Sequence, residues 1–280
     1  MNLILQGLSA DSAAASRIAA LAGAARVLPV GANAYRCEQV QYSDALKAEI
    51  DAACLAARLD HAFVEAGRKL SDFGLVAMDM DSTLITIECI DEIADMQGLK
   101  PQVAAITEAA MRGEIEFRES LARRVALLQG LDASALQRVY DERLRLSPGA
   151  ENMLAAAKTA GLKTLLVSGG FTFFTDRMKE RLGLDFTHAN QLEVVDGKLT
   201  GKVVGGIVDA DEKQRTVERV CAQLGIDTRK SIVMGDGAND LKMMGVAGLS
   251  VAFRAKPVVR AQADVALNFV GLDGILPLFA

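Results

Sequence analysis

Five short apolar runs recur beyond residue 70 of this chain, at 74–78, 164–167, 231–234, 249–253 and 265–267, with polar or glycine residues at their carboxyl ends. The stretches between them carry helical spacing. Near-continuous apolar runs that alternate with helices predict a buried parallel sheet covered on both faces, a doubly wound α/β core. Such sheets bind ligands beyond the carboxyl ends of their strands, so function is expected in the residues just after each run.

One connection in this pattern is too long. About 85 residues separate Asp79 from Thr164, several times the length of a helical crossover. Helix-compatible periods at 89–96, 103–111, 117–129 and 133–144 fill the gap and end at Ser147-Pro148-Gly149, where Pro148 suits the first turn of the next core helix. A helical insertion at that edge would lie over the site as a cap. Further on, residues 192–195 and 199–203 flank Asp196-Gly197, which predicts a hairpin.

Residues 1–67 have a different texture. Strands at 3–8, 26–30, 34–40 and 61–65 and helices at 11–22 and 43–58, the second opened by Ser43 as N-cap, give the order βαββαβ. That order is ferredoxin-like and resembles the small regulatory modules called ACT domains, by pattern alone. The expected division is therefore 1–67 as a regulatory or packing module and 68–280 as the α/β domain. Within the latter, the core takes 68–88 and 147–280 and the cap about 89–146.

Composition narrows the function. A chain of 280 residues with net charge -5 and no block of either sign is a poor partner for nucleic acid or anionic membrane, which leaves a small molecule as the expected ligand. The longest charge-free stretch, 164–175, has 12 residues against the roughly 20 that a membrane-spanning helix needs. The N-terminus has no basic region before an apolar run, so the expectation is a cytoplasmic protein; the sequence is compatible with a homodimer. Cys37, Cys54, Cys89 and Cys221 form no C-x-x-C pair, which points to core thiols rather than disulfides or zinc. With only two histidines, His61 and His188, chemistry should rest on carboxylates.

The strand ends supply those carboxylates. The first run ends in Asp79-Met80-Asp81-Ser82-Thr83, and two acids this close resist joint ionisation unless a cation or proton lies between them. The second runs into Ser168-Gly169-Gly170, where backbone N–H groups can approach an anion. The third runs into Gly235-Asp236-Gly237-Ala238-Asn239-Asp240. An oxygen-rich set without histidine suits Mg²⁺. Lys213 falls in the first turn of a helix expected to start near Asp211, where a cation opposes the macrodipole unless an anion is close.

In this order and spacing, the D-x-D-x-T segment, the Ser168 loop, Lys213 and the G-D-x-x-x-D segment resemble the haloacid dehalogenase superfamily over residues 74–272. Within it the chain looks like the phosphoserine phosphatase family, on Glu88, the cap segment 117–125 and the Ser168-Gly169-Gly170-Phe171 stretch as well. That resemblance implies Asp79 as nucleophile and Asp81 as general acid and base. It implies Mg²⁺ on Asp79, Asp236 and the Asp81 main-chain carbonyl. Substrate contacts would come from Glu88 to an ammonium, Arg124 (with Arg123 as competitor) to a carboxylate, and Ser168, Gly169, Lys213 and Asn239 at the phosphate end. Thr83, Met111, Phe117 and Asp240 would support them. The implied reaction is hydrolysis of phosphoserine through an aspartyl-phosphate, the last step of serine biosynthesis. Two alternatives stay open at this level: action on another phosphorylated amino alcohol such as phosphohomoserine, and a non-catalytic amino-acid sensor.

Overall fold

The N-terminal segment folds in the expected order, as β1 (Asn2–Gln6), α1 (Ser12–Leu21), β2 (Arg26–Gly31), β3 (Ala34–Glu38), α2 (Asp44–Ala57) and β4 (Asp60–Val64). Asp11 and Ser43 cap the two helices, accepting hydrogen bonds from the Ala13 and Leu46 N–H groups. The strands lie in the order β2-β3-β1-β4, antiparallel throughout. Alternate residues of β1 meet the apolar faces of both helices, so Leu3, Leu5, Ile18, Ile50, Cys37 and Cys54 close one small core. Each buried Leu or Ile there contributes roughly 1.5–3 kcal/mol.

The rest of the chain continues as β5 (Leu75–Met78), α3 (Cys89–Asp95), α4 (Lys100–Met111), α5 (Phe117–Ala126), α6 (Ser134–Arg138), α7 (Ala150–Thr159), β6 (Lys163–Phe171) and α8 (Thr172–Leu182). It then runs through β7 (Phe186–Val195), β8 (Lys198–Val204), α9 (Ala210–Leu224), β9 (Ser231–Gly235), α10 (Leu241–Gly245), β10 (Leu249–Phe253), α11 (Pro257–Arg260) and β11 (Val265–Leu267). The architecture is α/β with a mixed parallel sheet. No helix among the described residues is long and apolar enough to cross a membrane. The computed structural model describes residues 1–9, 11–112 and 114–279, and the side chain of Met111 is outside what is described.

The chain divides into two units, one of Met1–Val76, Pro148–Lys163 and Ile226–Ala280 and one of Ala77–Ser147 and Thr164–Gly225. In the first, β9, β10 and β11 are parallel neighbours, and β4 joins the edge of β11 antiparallel through His61 and Ala266. The N-terminal sheet and these core strands are therefore continuous. Asp60, buried at the start of β4, accepts hydrogen bonds from the N–H groups of Asn268, Phe269 and Val270 and from the Asn268 amide. Gln6 donates to Gly274 O at 2.7 Å. Pro148 stands before α7 rather than in its first turn. Gly149 is the N-cap with φ 77, and a Cβ there would collide with the Asp273 carboxylate.

In the second unit β6 and β7 are parallel, and β7 and β8 form the Asp196-Gly197 hairpin, with φ 49 and 75 at those two residues. Two strands exceed their expected limits: β7 starts six residues before Leu192, at Phe186, and β6 carries Ser168, Gly169 and Gly170 inside the strand. The helices expected at 117–129 and 133–144 are shorter, and the second closes as a wide turn over Val139–Arg143. The insertion leaves and returns on paired backbone, Ile85 opposite Leu146. The hairpin also grips it: Gly130 N–H donates to Leu199 O, Leu199 N–H to Leu131 O and Ala133 N–H to Gly197 O, each at 2.8 Å.

Candidate active site

At the end of β5 the backbone turns through one wide helical turn, Met80–Leu84, in which Ser82 adopts the left-handed conformation (φ 56). This turn folds Asp79 back on itself, so that its Oδ1 accepts the Met80 N–H at 2.7 Å. The same oxygen lies 2.8 Å from the Nζ of Lys213. Both side chains are almost wholly withdrawn from solvent. Lys213 is the fourth residue of α9, whose N-cap Asp209 accepts the Glu212 N–H. Asp79 is the anion that resolves the unfavourable placement of a lysine near a helix N-terminus.

Asp81 is half-buried, and crowding by protein atoms together with the negative charge of Glu88 pushes its carboxyl up to about 7, against the pull of the Cys89 N–H and Lys213. Its Oδ1 accepts that N–H at 3.2 Å. A Cβ on Gly170 would come within 2.7 Å of Asp81 Oδ2, so the absent side chain leaves room for the carboxylate. Ser168 is buried and its Oγ accepts the Gly170 N–H at 2.8 Å. Phe117, from the first turn of α5, places its ring 3.1 Å from where a Gly169 Cβ would stand. Asp79, Asp81, Ser168, Gly169, Lys213 and Phe117 are thus brought together. Thr83 is fully buried in the turn.

Glu88, exposed at the start of α3, accepts a hydrogen bond from the Ser82 hydroxyl at 2.6 Å. Arg124 is half-buried; burial lowers its pKa, while the charges of Asp91, Glu88 and Asp81 oppose that shift. Arg123 points elsewhere and pairs with Glu119, also on α5, at 2.5 Å. Asp91 escaped the sequence reading. Burial raises its pKa and Arg124 lowers it, and its spacing three residues after Glu88 on a helical face is the signal that would have found it. Arg118 ties the cap to the start of α9 through Asp209, Nε to Oδ2 2.7 Å.

The loop after β9 belongs to the other unit. Asp240 is fully buried and its Oδ2 accepts the N–H groups of Asp236 (3.2 Å) and Gly237 (3.0 Å). Gly235 is required there, since a Cβ would lie 2.5 Å from Asp240 atoms. Asp236 and Asn239 are half-buried on the loop that Asp240 holds, and the Lys256 N–H donates to Asp236 O.

Residues 76–245 match the haloacid dehalogenase-like hydrolase family, and residues 3–50 match a domain of unknown function. A phosphoserine phosphatase of a Polaromonas species is 61% identical over 215 residues, covering 75% of this chain and 91% of that protein. The crystal structure of a probable phosphoserine phosphatase from Vibrio cholerae, unliganded, superimposes with a TM-score of 0.85 at 36% identity, covering 99% of this chain and 86% of the other. A structure described as a phospho-aspartyl intermediate analogue of phosphoserine phosphatase superimposes with a TM-score of 0.70 at 38% identity, covering 74% and 99%.

Proposed function

Because the chain belongs to the haloacid dehalogenase-like hydrolase family, and its relatives are phosphoserine phosphatases, we propose that it hydrolyses O-phospho-L-serine to L-serine and phosphate, the last step of serine biosynthesis. The observation that carries the reading is the buried Lys213–Asp79 pair beside a carboxyl whose pKa is raised. Asp79 attacks phosphorus and forms an aspartyl-phosphate as the seryl oxygen leaves. Asp81, protonated near neutral pH, gives its proton to that oxygen and then takes one from the water that cleaves the acyl phosphate. Ser168, the Gly169 N–H and Lys213 hold the transferring oxygens, with Asn239 in support. Glu88 receives the substrate ammonium and Arg124 its carboxylate, for which a guanidinium fork is suited.

Asp79, Asp236 and the Asp81 main-chain carbonyl would hold Mg²⁺. The donors are all oxygen, which fits a hard divalent ion. When bound, the ion offsets repulsion between nucleophile and phosphate. Residues 1–67 are read as an ACT-like regulatory or packing module, supported by the βαββαβ order, and about 89–146 as the cap. Phosphate release from phosphoserine, phosphothreonine, phosphohomoserine and sugar phosphates tests the reading. The expected result is turnover that falls steeply away from phosphoserine, while equal turnover of all, or none on phosphoserine, defeats it.

A further inference from the structure

We propose that Asn190, a buried residue of β7, is a positioning residue that fixes the Ser168-Gly169 segment relative to the helix bearing Lys213; the inference rests on the phosphatase reading above. Between the pairs Val167 with His188 and Phe171 with Asn190, β6 has three residues and β7 one. The glycine segment therefore bulges out of the ladder. The Asn190 side chain spans the gap, Nδ2 donating to Gly169 O at 2.7 Å and Oδ1 accepting the Val208 N–H at 2.8 Å. Only an oxygen can accept that N–H, so the amide's orientation is fixed. Val208 directly precedes Asp209, the N-cap of α9.

One side chain, 1% exposed, thus joins the two elements assigned to the phosphate oxygens. Its bond to Val208 is buried and its bond to Gly169 partly so; an unmatched polar group there costs about 1–3 kcal/mol, so the separation it sets is stiff. A displacement of about 1 Å in groups that stabilise a transition state costs about 10²-fold in rate. Backbone packing alone would not supply this constraint, because a bulged strand lacks the regular ladder that fixes its neighbours.

The test compares Asn190→Ala, which loses both bonds, with Asn190→Asp, which keeps the volume but has no donor for Gly169 O when ionised. Activities are divided by the folded fraction read from circular dichroism. The expected result is a fall in kcat of about 10–100-fold for both variants, on phosphoserine and on p-nitrophenyl phosphate alike, with KM for phosphoserine within about threefold. A purely structural role would lower the thermal midpoint and leave kcat per folded molecule unchanged. If N190A does not fold, N190D decides. A kcat within threefold of wild type, a loss confined to KM, or failure of both variants to fold overturns the inference. An inert wild type would instead defeat the phosphatase reading itself.

Discussion

The Nζ of Lys213 stands 2.8 Å from Oδ1 of Asp79, with 1% and 8% of the two side chains exposed. Two opposite charges so withdrawn from water hold each other in place, and removal of either leaves an uncompensated charge. Lys213→Met is expected to lower kcat by about 10²–10³ and stability by about 3–5 kcal/mol. Asp79→Asn should abolish turnover with a comparable loss of stability. The Asp79→Asn, Lys213→Met double variant should be more stable in urea than the sum of the single losses, yet inert. Strict additivity would contradict the pairing.

Asp81 supplies a pH signature. Its carboxyl is raised from about 3.9 in an unfolded chain to about 7 in the fold, by burial first and Glu88 second. A group that holds its proton more tightly when folded contributes stability that is complete below the unfolded value and is lost as pH rises through the folded one. In the metal-free protein, held with chelator, stability should therefore fall relative to Asp81→Asn between about pH 4 and 7. Parallel pH profiles of the two proteins in urea denaturation would contradict the assignment.

Ser82 and Glu88 make a specificity test. The 2.6 Å hydrogen bond from the Ser82 hydroxyl orients the carboxylate proposed to receive the ammonium. Ser82→Gly removes that bond and relieves a left-handed backbone that glycine adopts freely. KM for phosphoserine should rise about tenfold, an effect near 1.4 kcal/mol, with folding stability equal to or above wild type. A phosphate ester without an amino group should show no change; an equal effect on both esters would remove Ser82 from ammonium recognition.

Asp60 carries a prediction about stability alone. Its carboxylate satisfies three successive main-chain N–H groups, Asn268 to Val270, at 2.7–3.0 Å. Asp60→Ala leaves those donors, one buried and two partly buried, without their partner and should lose about 2–4 kcal/mol. Asp60→Asn, which keeps one acceptor oxygen, should lose less. Urea denaturation curves that reverse this order would refute the account.

Chelation tests the metal assignment. Turnover should vanish in EDTA and return on adding Mg²⁺, whereas Asp236→Asn should stay below wild type at saturating Mg²⁺. Full activity in EDTA would exclude the proposed ligand set.

What the sequence determined by itself is what short-range rules can see. Strand ends followed by Asp79 and Asp236, the cap at Ser43, and the Asp196-Gly197 turn all rest on local backbone preference and on apolar spacing of two or three to four residues. Helix ends slipped by a few residues, since fraying and wide turns leave no strong local mark. The partners across long separations came only from tertiary structure. Asn190 meets Gly169 across 21 residues and Asp60 meets Asn268 across 208. The pairing of β4 with β11 and the tie of Arg118 to Asp209 across 91 residues belong to the same class. No spacing rule reaches that far. Those contacts depend on how packed elements bring buried donors and acceptors together, where each must find a partner once water is excluded.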